Sequence, residues 1–110
     1  MTSSIDFKPY YAVIFTSIMK NHDDEYGQMA IQMTQLAKTQ PGYLGFETAR
    51  NEIGISISYW ETMDAIHNWK QHATHLLAQQ LGQEKWYQYY KVRICKVERE
   101  YEFGYSVPQI

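Results

Sequence analysis

The chain has 110 residues, of which 45% are hydrophobic and 20% charged, and its formal net charge is −2. That length holds one domain, spanning 1–110 with a core from about 10 to 103, and the composition is globular rather than disordered. The near-neutral balance, with Lys and Arg interleaved with Glu, argues against nucleic-acid binding by phosphate neutralisation. No apolar stretch approaches the roughly 20 residues that span a bilayer.

Aromatic residues make up 15% of the chain, and 10 of them are Tyr. A core this small cannot enclose so many rings, so some line a pocket, a subunit interface or a wet rim. The single cysteine cannot form an intrachain disulfide, which fits a reducing compartment. Cys95 lies in an alternating apolar stretch and reads as a buried, inert thiol. The N-terminal residues lack a basic segment followed by an apolar run, so no signal peptide is expected and the location reads as cytoplasmic.

Tyr10 to Ile18 is β-branched and aromatic, a first strand. Asn21, His22, Asp23 and Asp24 supply N-cap candidates for a helix whose apolar face carries Tyr26, Met29, Ala30, Met33, Leu36 and Ala37. Gln40-Pro41-Gly42 stops it. Tyr43 to Arg50 reads as a second strand, and Ile53 to Trp60 as a third with strict alternation. The Ile/Tyr face of that third strand is expected to be buried. Its Gly54/Ser56/Ser58 face is small, leaving room above the sheet for a helix or a ligand. Thr62 caps a second helix that runs to about Leu81 and ends at Gly82. A short aromatic segment, Trp86 to Tyr90, precedes a last strand from about Val92 to Phe103.

The order βαββαβ is that of an α+β, ferredoxin-like domain, an antiparallel sheet with two helices on one face. The first strand is apolar on both faces, so the sheet face away from the helices is an association surface, and a homodimer is expected.

The second helix carries the chemistry. Ile66, Trp69, Ala73, Leu76 and Leu77 form its buried stripe; His72 flanks that stripe, His75 points further away, and His67 lies on the polar side. His72 and His75 are spaced i, i+3, unlike the i, i+4 pair of a zinc helix, and no Cys or paired carboxylate completes a ligand set, so no metal is expected. No nucleophile–base motif, phosphate loop or nucleotide fingerprint appears.

Gln40-Pro41-Gly42-Tyr43-Leu44-Gly45-Phe46, Ser58-Tyr59-Trp60-Glu61, and Ala65-Ile66 with Asn68-Trp69 together resemble the antibiotic biosynthesis monooxygenase (ABM) family, over about residues 10–103. Ala78 to Gly82 with Trp86, Tyr87 and Tyr90 is similar to an uncharacterised bacterial branch of it. The resemblance implies a dimeric α+β barrel with sheets packed face to face. It also implies either cofactor-free oxidation of polycyclic phenols or haem degradation, with Trp69 at the helix position that lines the pocket. The haem degraders use an Asn on the first strand, absent here, and a later helical His that falls near Gln79. In the phenol oxidisers an aromatic or polar group six residues after the Trp handles the phenol, and His75 stands there. The expected activity is therefore a small cofactor-independent monooxygenase acting on an aromatic compound. Its catalytic candidates are Trp69, His72 and His75, and its substrate contacts Trp60, Phe15, Ser58 and Gln79. A dimeric binding or stress-related module without catalysis is the second reading, and a haem-binding oxygenase the third.

Overall fold

Alternating β-formers and two capped amphipathic segments resolve into β1 (Tyr10–Met19), α1 (Asp24–Lys38), β2 (Tyr43–Arg50), β3 (Gly54–Trp60), α2 (Met63–Gln79) and β4 (Tyr87–Val97). The structure, a computed structural model, describes residues 7–20, 24–79 and 86–104, and the side chains of residues 24–26 and 75–79 stand outside that description. The N-cap candidates Asn21 to Asp23 and the terminator Gly82 lie outside the described residues. The strands form one sheet in the order β2-β3-β1-β4, with every neighbouring pair antiparallel. This is the ferredoxin-like α+β arrangement.

Local chemistry sets the ends of the helices. At the close of α1 the Thr39 hydroxyl donates to the Leu36 carbonyl at 2.7 Å, and Gln40 N bonds the Ala37 carbonyl at 3.0 Å. Gly42 then takes a φ of 85°, a left-handed conformation that favours glycine. The position is also crowded. A Cβ there would lie 2.6 Å from the Ala65 Cβ, and the Gly42 carbonyl accepts from Glu61 N at 2.8 Å. The turn is thus clamped against the start of α2. There Thr62 acts as N-cap, its hydroxyl accepting from Ala65 N at 3.0 Å.

Residues opposite one another in an antiparallel ladder share a face. Trp60, Ser58, Ser56 and Gly54 on β3 face Tyr11, Val13, Phe15 and Ser17 on β1. Trp60 packs with Ala37, Ala65 and Ile66 in the core, so this is the inner, helix-covered face. The outer face carries Ala12, Ile14, Thr16 and Ile18 of β1 opposite Tyr59, Ile57 and Ile55 of β3.

Three expectations are corrected. The Ile/Tyr face of β3 is open in the single chain, with Ile55 43% exposed; within one chain the helices cover only the opposite face. β4 begins at Tyr87 rather than Val92 and ends at Val97, because the aromatic segment pairs with the end of β1, Tyr89 against Ile18 and Tyr90 against Ser17. Residues 98–103 have no ladder partner, and Tyr101 and Phe103 are exposed. Cys95 is exposed, since it lies on the outer face of the edge strand, opposite Ala12.

Candidate functional site: the aromatic inner face under α2

The third strand delivers Trp60 to the inner face where α2 begins. Its indole N–H donates to the Ser58 hydroxyl two residues back, at 2.8 Å, so a fully buried ring has its polar atom satisfied. Tyr43 meets that ring edge-on at 5.7 Å and 82°. From α2, Trp69 stacks on it at 5.8 Å and 23°. Trp69 is half-buried, as is Tyr43, so its ring keeps open surface while resting on the buried Trp60. The apolar stripe of α2 accounts for the placement: Ile66 is buried, and Trp69 and Ala73 follow it at helical spacing. Leu76 and Leu77 of the expected stripe lie among the side chains not described.

Further along the same face Phe15 is half-buried. It stacks with Tyr90 at 5.4 Å and 24° and meets Tyr87 edge-on at 5.4 Å and 70°. Between the two aromatic groups the sheet surface is polar. Thr48 and Ser56 share a hydrogen bond of 3.0 Å across β2 and β3. Beyond them Arg50 crosses over Gly54, and its Nη2 donates to the buried Ser17 hydroxyl at 2.5 Å. A side chain at position 54 would collide with that guanidinium. Glycine is what allows β2 to reach β1 across β3.

The structure thus brings Trp60, Ser58, Trp69 and Phe15 to one face. Ser58 is buried, with its hydroxyl engaged by Trp60. His72 is exposed, close to one turn after Trp69 on α2. His67 is exposed and sits 3.2 Å from Gln71 Nε2. His75 and Gln79 belong to the backbone of α2, and their side chains are outside the described set. Among the described residues no three of His, Cys, Asp and Glu gather closely enough to hold a metal ion. Sequence reasoning missed Arg50, Ser17, Tyr87 and Tyr90. The period-two pattern puts Thr48 and Arg50 on one face, but their partners emerge only from the pairing register.

On the outer face the Tyr59 hydroxyl donates to Glu47 Oε1 at 2.6 Å. Tyr10 meets Tyr59 edge-on at 5.8 Å. The hydrogen bond to Glu47, then burial, pushes the Tyr59 hydroxyl up to about 12. Tyr10 is pushed up to about 12 by its hydrogen bond to Glu100, then burial. Both therefore stay protonated at neutral pH and act as donors.

Among the described residues no helix is long and apolar enough to cross a membrane. A Bacillus subtilis protein, YqjZ, is 47% identical over 94 residues, covering 84% of this chain and 82% of its own length. A Shewanella oneidensis protein superposes with a TM-score of 0.69 at 7% identity, covering 83% of this chain and 93% of that one. SnoaB, a cofactor-independent oxygenase from Streptomyces nogalater, superposes with a TM-score of 0.55 at 11% identity, covering 94% of this chain and 100% of its own. These two structures share the fold with this chain. The profile of the antibiotic biosynthesis monooxygenase family matches residues 9–81, and the chain belongs to that family.

Proposed function

We propose that the protein is a small cofactor-independent monooxygenase that takes a phenolic aromatic compound between α2 and the inner sheet face, acting as a cytoplasmic homodimer. The observation that carries this reading is the half-buried Trp69 stacked on the fully buried Trp60. A rigidly backed indole with open surface suits a flat substrate ring. Family membership and the fold shared with a cofactor-independent oxygenase support the reaction class.

In this reading Trp69 stacks on the substrate, and Trp60 holds Trp69 in place, with Ser58 fixing the Trp60 ring. Phe15 bounds the far side. An imidazole, His72 or His75, removes the phenolic proton as general base. The phenolate is electron-rich enough to reduce O2 directly. The atoms balance without a reductant: a ring C–H becomes a quinone carbonyl, one oxygen atom stays there, and the other leaves as water. Haem binding, the third reading, has less support from the residues. β1 carries no Asn, and His72, the imidazole on nearly the same stripe as Gln79, is exposed to solvent.

A second reading, a dimeric binding or stress-related module without catalysis, is favoured by one observation. Neither His67 nor His72 is sheltered from water, so neither is visibly set up as a base.

Binding of a polycyclic phenol, followed by fluorescence, and O2 uptake, followed with an electrode, test the proposal. Wild type is expected to bind and to consume O2. Trp69→Phe is expected to fold normally but to bind and turn over more weakly, since a smaller ring stacks over less area. Wild-type binding without O2 uptake establishes the module reading. A Trp69→Phe protein that behaves as wild type defeats the pocket role of Trp69.

A further inference from the structure

The inner sheet face is covered unevenly. α1 and α2 pack mainly on β2 and β3, and the β4 side of the face stays open, with Val92 48% and Ile94 45% exposed. The register carries the aromatic site onto that open side in three rows. Ser56 of β3 lies opposite Phe15 of β1, and Phe15 opposite Val92 of β4; Ser58, Val13 and Ile94 form the next row, and Trp60, Tyr11 and Lys96 the last. Residues opposite one another leave the same face. The shelf of Val13, Phe15, Val92 and Ile94 therefore continues the surface on which Trp60 stands. Its two ends differ. At one end Phe15 stacks on Tyr90; at the other Lys96, exposed, stands in the row of the buried Trp60. Of the cations of β4, Lys91 and Arg93 pair with Thr16 and Ile14 on the outer face, and Lys96 belongs to the inner one.

We propose that Lys96 is a substrate-binding residue: a flat phenol lies on this shelf beside Trp69, with its ionised oxygen on the Lys96 ammonium. The inference rests on the phenol reading above and adds where the oxygen sits. From Lys96 to Val92 is four residues, roughly 13 Å at the rise of a strand, which accommodates a three-ring system. Lys96 stands two strands from Trp60, roughly 10 Å across the sheet. Its flexible stem lies along apolar surface and carries the ammonium over Tyr11 toward the Trp60–Trp69 pair. Val13, Phe15, Val92 and Ile94 offer an oxyanion no side-chain donor, so a charged oxygen on this shelf is stable only at its Lys96 end. An ammonium beside a phenol favours the ionised form, which is the form that reduces O2. The phenolic proton still leaves to an imidazole or to water, but from a phenol already made more acidic, which suits a base as exposed as His72. The titratable side chain opposite Lys96 is Tyr11. The nearest carboxylate along the strand, Glu98, stands past the last paired residue, Val97.

The test is an absorbance titration of hydroxyanthracene bound under argon, where the ionised form absorbs at longer wavelength and oxidation cannot intervene. Methoxyanthracene, which has no proton to lose, is the neutral control, followed by fluorescence. Wild type is expected to hold the phenolate about ten-fold more tightly than the phenol, so that the bound hydroxyl ionises about one pH unit below the free one. Lys96→Met is expected to abolish that preference while binding methoxyanthracene as wild type does, which also shows that the variant is folded. Lys96 is exposed, so its replacement disturbs the fold little. Lys96→Arg, which keeps the charge, is expected to keep the preference. A bound hydroxyl that ionises like the free one in wild type, or as early in Lys96→Met as in wild type, overturns the role of Lys96 and leaves the pocket reading standing. Wild type that binds neither compound overturns both.

Discussion

The two faces of β3 invert the usual rule. On the inner face Gly54, Ser56, Ser58 and Trp60 run beneath the helix layer, and three of these four are buried. On the outer face Ile55, Ile57 and Tyr59 are left partly or largely in water. Ser58 and Ser56 face the helices with their hydroxyls engaged by Trp60 and Thr48, beside the core built on Trp60 and Ile66 with Tyr43 and Trp69 packed against it. The large aliphatic residues of the outer face are those that the proposed homodimer would cover. The inner face therefore carries the core and the proposed pocket, and the outer face is the one the proposed homodimer would cover.

The sharpest break in this comparison is Trp60→Ala. Removing a fully buried indole from the inner face is expected to cost roughly 3–5 kcal/mol of unfolding free energy, measured by chemical denaturation. A loss under about 1 kcal/mol would mean that the inner face is not the core. The outer face gives the opposite signature with Ile57→Lys. There a Lys is expected to raise the dimer Kd about a hundredfold or more, since an unpaired charge would be enclosed. The far-ultraviolet dichroism of the chain should stay native. Light scattering that still finds a dimer at micromolar concentration would remove the outer face from the interface.

A subtler difference lies in titration. The Tyr59 hydroxyl, raised from its ordinary 10 to about 12, is favoured in its neutral form by the folded chain. Its contribution to stability is complete below pH 10 and is lost as pH rises through about 12. Near-ultraviolet absorbance titration should show one hydroxyl fewer ionising near 12 in Tyr59→Phe than in wild type, the Tyr10 hydroxyl remaining there in both. An unchanged titration would show that Glu47 does not hold it. The smallest effect is expected for His67→Ala, on the solvent side of α2. Stability and any activity should stay within about 0.5 kcal/mol of wild type, by thermal denaturation and turnover, because His67 is exposed and its ring contacts Gln71 on the same helix.

The candidate site was legible in part. Trp69 follows from the stripe of α2, and Trp60 from the end of a strictly alternating strand; both are local patterns. Their stacking is not local, since it depends on where α2 lands on the sheet. Arg50 reads in sequence as the last residue of a strand, and only the pairing of β2 with β3, and of β3 with β1, carries it over Gly54 to Ser17. Tyr87 and Tyr90 looked like a separate aromatic segment because their strand partners, Met19 and Ser17, lie about 70 residues earlier in the chain.

What the residues alone determined are the features carried by neighbours in the chain: the strand Tyr43–Arg50, the stop at Gly42, the cap at Thr62, the βαββαβ order and the family. Periodicity, capping and turn chemistry act over a few residues, so a single segment contains its own evidence. The tertiary structure alone decided which face of each strand the helices cover, where β4 starts, why Cys95 is exposed, and how Lys96 comes to share a row with Trp60. Each of these depends on register, and register is a property of two segments paired across long intervening chain, with a slip of one residue reversing every face.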